Sequence, residues 1–263
     1  MKVPYSYFIY AAAMQIFAIG FCSAQTLELK PAPAGVTIDG NCKEWGDKMT
    51  YTDEKAKVDY TLSNDKDKLY LVVKTKDPVQ QSSILGAGIT FTIDTKGRKK
   101  SSYQVTFPAS AADKDQSRYI GLSPDQMQTS VMFANKYGKI GIDGFKDISD
   151  EQLSTENSFD IKIAVGYDAA GYMVYEEAIP LTLFHAGDLL TKEWAFNIKL
   201  NPVQGKEKEV KSSIAQVPNS KRSVDKFKKD DGRDAFSQQG TLALIDLTPK
   251  IDFWGKFTLA KAQ

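Results

Sequence analysis

The sequence predicts an all-β protein, a single antiparallel β-sandwich, and three observations carry that expectation. The first is alternation of apolar and polar residues, plain in Phe159-Asp160-Ile161-Lys162-Ile163-Ala164-Val165 and in Trp194-Ala195-Phe196-Asn197-Ile198-Lys199-Leu200. Period two places every second side chain on one face, which suits a sheet packed on one side and wet on the other. The second is turn chemistry between short runs, in Asn64-Asp65-Lys66-Asp67, Asp94-Thr95-Lys96-Gly97 and Asp168-Ala169-Ala170-Gly171. Short strands at such spacing are the pattern of a sandwich. The third is the scarcity of helical periodicity: only 181–187, after Ile179-Pro180, reads as one or two helical turns.

In chain order, strand-like runs fall at 26–30, 36–39, 58–63, 69–75, 88–94 and 102–107. Val58/Tyr60/Leu62, Ile89/Phe91/Ile93 and Tyr103/Val105/Phe107 supply the apolar faces of three of them. Further runs fall at 129–133, 159–167, 172–178, 193–200, 241–247 and 251–259. Two stretches break the rhythm. Residues 108–154 are more polar and read as an insertion between strands. Residues 201–239 form a long polar connection with nine Lys/Arg and six Asp/Glu. A loop of that length inside a compact domain is functional or poorly ordered, and we read it as an excursion over the sandwich surface. No composition shift divides the chain, so 25–263 is read as one domain.

Residues 1–24 read as a cleaved signal peptide. Lys2 gives the positive start, residues 7–21 are apolar apart from Gln15, and Cys22-Ser23-Ala24 offers small residues for cleavage. The apolar run is shorter than the roughly 20 residues that span a bilayer. The expectation is therefore export, to the periplasm or the cell surface, with no membrane span in the mature chain. Cleavage leaves Cys42 as the one cysteine, so no internal disulfide can form. It also leaves 33 basic and 33 acidic residues. That balance argues against nucleic acid, which needs a basic excess to neutralise phosphates.

Six further motifs stand in a fixed order. They are Ile38-Asp39-Gly40-Asn41-Cys42-Lys43-Glu44-Trp45, then Lys68-Leu69-Tyr70-Leu71-Val72-Val73-Lys74-Thr75-Lys76-Asp77-Pro78, then Phe91-Thr92-Ile93-Asp94 with Gly97. Glu176-Glu177-Ala178-Ile179-Pro180-Leu181, Trp194-Ala195-Phe196-Asn197 and Gly240-Thr241-Leu242-Ala243-Leu244 follow. The series resembles the family 9 carbohydrate-binding module and its DOMON-like relatives. The resemblance covers most of 36–247. It implies a β-sandwich on an exported bacterial protein, non-catalytic, binding a glycan or serving polysaccharide breakdown as an accessory. The chain departs from the sugar-binding members in two places. Their arginine after the "fN" motif is missing near Leu200, and 221–239 holds no tryptophan, only Phe227 and Phe236. The alternative is a structural or partner-binding domain, with a surface or periplasmic protein as partner, that kept the fold and lost the sugar site.

Candidate residues follow from chemistry. Sugar sites pair an aromatic wall with a few polar groups. Trp194 shares parity with Phe196 and Ile198 and is expected in the core, and Trp45 is expected to plug one end of the sandwich. Trp254 lies opposite Ile251 and Phe253 and is the best exposed-aromatic candidate if that last strand is half-exposed, against the plainer role of edge packing. In the late connection, Phe227 and Phe236 beside Arg233 are the remaining ligand-binding candidates, with Arg233 able to make paired hydrogen bonds. Asp39, Asp77 and Asp94 sit at turns or strand ends. Loop carboxylates of this kind could take calcium, against the plainer role of hydrogen-bonding their own backbone. No cofactor is indicated. Catalysis has little support: His185 is the one histidine, and Glu176 and Glu177, adjacent on a strand, cannot flank one glycosidic bond.

Overall fold

The computed structural model describes residues 26–46, 48–109, 116–206 and 244–261. Residues 1–24, read above as a signal peptide, and residues 207–243 of the late connection therefore lie outside the described residues. The first strands are β1 (Leu27–Glu28), β2 (Lys30–Pro31), β3 (Tyr51–Asp53), β4 (Val58–Asn64) and β5 (Lys68–Thr75). Helix α1 (Pro78–Ala87) precedes β6 (Ile89–Asp94) and β7 (Tyr103–Phe107). Helix α2 (Pro124–Tyr137) precedes β8 (Lys139–Asp143), β9 (Gln152–Ser154), β10 (Lys162–Tyr167) and β11 (Met173–Pro180). The chain continues through β12 (Trp194–Leu200), β13 (Gln204–Lys206), β14 (Leu244–Asp246) and β15 (Ile251–Thr258).

Two open sheets face each other, as the alternation requires. One has seven strands in the order β1-β15-β12-β6-β7-β8-β9, and the other runs β10-β11-β5-β4-β2, with β3 also paired to β4. Their inward side chains, among them Phe91, Val105, Phe196 and Ile198 from the first and Leu62, Leu71, Val73 and Tyr175 from the second, form one core. Tyr60 bridges the layers, its ring 6.2 Å from Phe196 and 5.4 Å from Phe253. Trp194 is fully buried, as its parity predicts. The ladders are antiparallel except at the start of the chain, where β1 runs parallel to β15 and β2 parallel to β4.

The expected strands give way in two places, 129–133 and 36–39, and a helix, α1, forms where no element was expected. The run 129–133 is not a strand but the middle of α2. Ser123 caps that helix, accepting from Gln126 N at 3.4 Å while the Gln126 side chain accepts from Ser123 N at 2.9 Å, and Pro124 opens its first turn. A capping box with proline at the first position specifies a helix start, and it outweighs the strand preference of Thr129, Val131 and Phe133. Helix α1 begins similarly, with Asp77 Oδ1 accepting from Val79 N and Gln80 N. The segment 36–39 forms no strand. It leads instead into a strap across the outer face of the second sheet.

Glu176 holds that strap. Fully buried, it accepts through Oε2 from the backbone N–H of Asp39, Gly40 and Asn41 at 3.1, 2.8 and 3.2 Å. Its Oε1 accepts from Trp45 Nε1 at 2.9 Å. Gly40, at φ +81°, lies so close to β10 that an added Cβ would come within 2.6 Å of the Val165 carbonyl carbon. Trp45 is therefore not an end plug. It lies half-buried on Tyr70, ring centroids 5.6 Å apart, beside Cys42, Met49, Val72 and Val174 on the outside of the sheet.

Candidate functional site

Helix α2 is fastened to the open edge of β10 by one side chain. Asn135 Nδ2 donates to Val165 O at 2.7 Å, and Asn135 Oδ1 accepts from Val165 N at 2.9 Å, so the amide mimics a neighbouring strand. Only Met127 and Val131 of α2 are buried. Ala134 also packs partly buried against the core, and the exposed side of the helix forms one wall of a groove of about 780 Å³. Leu85 and Gly86 of α1, with Pro108 and Ala109, line it from the sandwich side, and the turn Ser117–Tyr119 contributes Arg118 and Tyr119.

Aromatic rings and polar groups alternate around this groove. Phe133 and Tyr137 sit one helical turn apart on α2 and are 60% and 61% exposed, with ring centroids 5.7 Å apart at 35°. The Arg118 guanidinium lies over the Tyr119 ring at 4.9 Å and donates to the Tyr119 hydroxyl at 3.2 Å, which holds both side chains in place. Gly86 lets that turn seat on α1: an added Cβ would come within 3.0 Å of both Tyr119 Cβ and Val203 Cγ2. Gln116 spends its Oε1 on Gln204 N at 3.0 Å, and the exposed Gln126 spends its own on the cap and keeps its amide NH₂ as a donor. Thr129 and Ser130 donate to carbonyls of their own helix and keep oxygen lone pairs as acceptors. Arg118, Lys139 and Asp125 line the groove with no ion-pair partner among the described residues, in contrast to Lys57–Asp77 at 2.7 Å or Lys74–Asp168 at 2.8 Å. The groove thus offers both donors and acceptors, with two cations and one carboxylate.

The expected site residues are placed as follows. Trp254 is half-buried on β15, opposite Phe253, and shares the outer face of the seven-stranded sheet with its register partner Asn197. Asn197 is held there by Asp252 Oδ1 at 2.6 Å. Trp254 does not line the groove. Phe227, Arg233 and Phe236 lie outside the described residues.

Asp39, Asp77 and Asp94 each serve their own loop. Asp39 accepts from Asn41 N at 2.9 Å, Asp77 caps α1, and Asp94 is fully buried and accepts from Lys96 N, Arg98 N and the Arg98 side chain. Burial alone would raise the Asp77 and Asp94 carboxyls, but Lys57 and Arg98 beside them hold both below the usual range. Among the described residues no three His, Cys, Asp or Glu side chains converge as metal ligands. His185 pairs with Asp147 at 2.8 Å.

The groove is the site that sequence reasoning missed. Its signal was present in Ser123-Pro124 followed by Gln126, which starts a helix and puts Phe133 and Tyr137 on one face at i, i+4. No family model matches this chain, and none of the curated proteins is significantly similar to it. No helix among the described residues is long and apolar enough to cross a membrane.

Proposed function

We propose that this chain is an exported, non-catalytic module that binds a neutral glycan in the groove between α1 and α2. The exposed Phe133–Tyr137 pair above a polar trough carries the reading. The C–H face of a sugar ring is apolar and packs on such rings, while each hydroxyl both donates and accepts, which suits a lining mixed in both roles. An anionic polymer would call for a cluster of cations, and the lining carries a net excess of only one, Arg118 and Lys139 against Asp125. Hydrolysis of a glycosidic bond needs two carboxyl groups, and among the lining residues Asp125 is the one carboxylate. The leader-like 1–24 and the ordered motifs across 36–247 support an exported carbohydrate-binding role.

The test is a glycan array with the mature chain, followed by titration of the hits against Phe133→Ala and Tyr137→Ala. Each variant is expected to keep its melting temperature and lose about tenfold in affinity, the scale of one aromatic contact. Unchanged affinity in both variants would remove the groove from the reading. Met132, 71% exposed beside Phe133 but outside the groove, favours a second reading in which α2 meets a protein partner. A silent array, together with retention of a surface or periplasmic protein that Met132→Lys abolishes, would select it.

A further inference from the structure

Resting on that reading, we infer that the groove takes an internal stretch of a linear polysaccharide and not a chain end. Four features point the same way. The wall formed by α2 is lined from Asp125 to Tyr137, which at 1.5 Å per residue is about 18 Å, the length of several sugar units. That wall is open: Asp125, Gln126, Thr129, Phe133 and Tyr137 are all exposed, as is Lys139 beyond its C-terminal end. Recognition of a chain end needs a blind wall with buried polar groups that meet the terminal hydroxyl, because the penalty for leaving such groups unpaired is what rejects a longer chain. Here the groups at both ends of the helix face solvent.

The third feature is the ring pair. Centroids 5.7 Å apart and tilted by 35° form two successive platforms, spaced about as consecutive rings are along an extended glycan and turned as a twisting chain turns them. The fourth is the spread of hydrogen-bonding groups. Asp125, Gln126, Thr129 and Ser130 follow one another along the wall, and Gln116 and Arg118 lie across from it. Contacts distributed in this way gain from each added unit and depend little on how the chain terminates.

The experiment is calorimetric titration of the mature chain with cello-, xylo- and manno-oligosaccharides from the monosaccharide to the hexasaccharide. Each series is run with the reducing end intact and with it reduced to the alditol. For the series that binds, affinity should be negligible for the monosaccharide, rise with each unit and level off at about four units, given the ~18 Å wall. Reduction of the end should change affinity less than twofold at that length. Phe133→Ala and Tyr137→Ala should lower affinity and flatten the rise, while Met132→Ala, outside the groove, should leave it unchanged. Strongest binding to the shortest sugars, or loss on reduction of the end, would overturn the inference and leave the glycan reading standing. Absence of binding by every series and by the parent polysaccharides would overturn both.

Discussion

Glu176 and Glu177 are neighbours in sequence with opposite lives. Strand parity turns Glu176 outward, where four N–H donors converge on it, and turns Glu177 into the core beside Tyr175. Opposite orientation was readable from adjacency on a strand. That the outward one would be the more completely hydrogen-bonded was not, because its partners lie more than 130 residues away. The same distance explains Trp45, whose motif was visible while its position depends on an acceptor on β11. Replacing Glu176 with Gln puts an NH₂ against N–H donors on one side. We expect a loss of roughly 2–3 kcal/mol, the range for a charge-assisted hydrogen bond lost in a buried setting. Trp45→Phe keeps the apolar contact with Tyr70 and removes one donor, so it should cost about 1 kcal/mol. Chemical denaturation of the two variants measures both, and a smaller loss for Glu176→Gln than for Trp45→Phe would contradict the strap.

Among the elements, the long strands were legible and the two helices were not. Strands β4 to β7, β10 to β12 and β15 carry strict inward parity, and their residues were found to within a few positions. Helix α1 hides because it is buried on nearly every side with Gln80, Gln81, Ser82 and Ser83 inside, so it has no apolar stripe to read. Helix α2 hides for the opposite reason, burying only two residues. Strands β8 and β9 are short, and Gly141 interrupts the apolar pattern of β8. Asn135 on the β10 edge holds α2 together with its cap and the packing of Met127, Val131 and Ala134 on the core. Asn135→Ala leaves Val165 N–H and C=O without that partner and should cost about 1–2 kcal/mol. It should also raise hydrogen exchange in α2 and, if the proposed glycan site is right, lower affinity with it, since Phe133 and Tyr137 ride on the helix. Exchange confined to wild-type levels in α2 would show that its packing suffices without Asn135.

At the scale of the whole molecule, carboxyls paired with a cation and a carboxyl shut in the core respond oppositely to pH. Asp94 and Asp168 sit beside Arg98 and Lys74, whose pull outweighs burial and lowers both carboxyls. Their contribution to stability is present above the ordinary carboxylate range and is lost as pH falls through their lowered values. Glu177 behaves in reverse. It is fully buried between the sheets, accepts one hydrogen bond from the Tyr175 hydroxyl at 2.8 Å, and its Oε1 has no partner among the described residues. Burial pushes its carboxyl up to about 8, against the Tyr175 contact that favours ionisation. The folded chain therefore keeps a proton there that the unfolded chain releases near pH 4 to 5. Its stability contribution is full below that range and declines as pH rises toward about 8, by roughly one kcal/mol per pH unit. Glu177→Gln keeps an acceptor for Tyr175 and removes the titration. Thermal melts between about pH 5 and 8 should show the wild type falling and the variant staying flatter, with the variant the more stable at the alkaline end. Parallel curves for the two proteins would mean that Glu177 is ionised in the fold, and that the core supplies it with more than Tyr175.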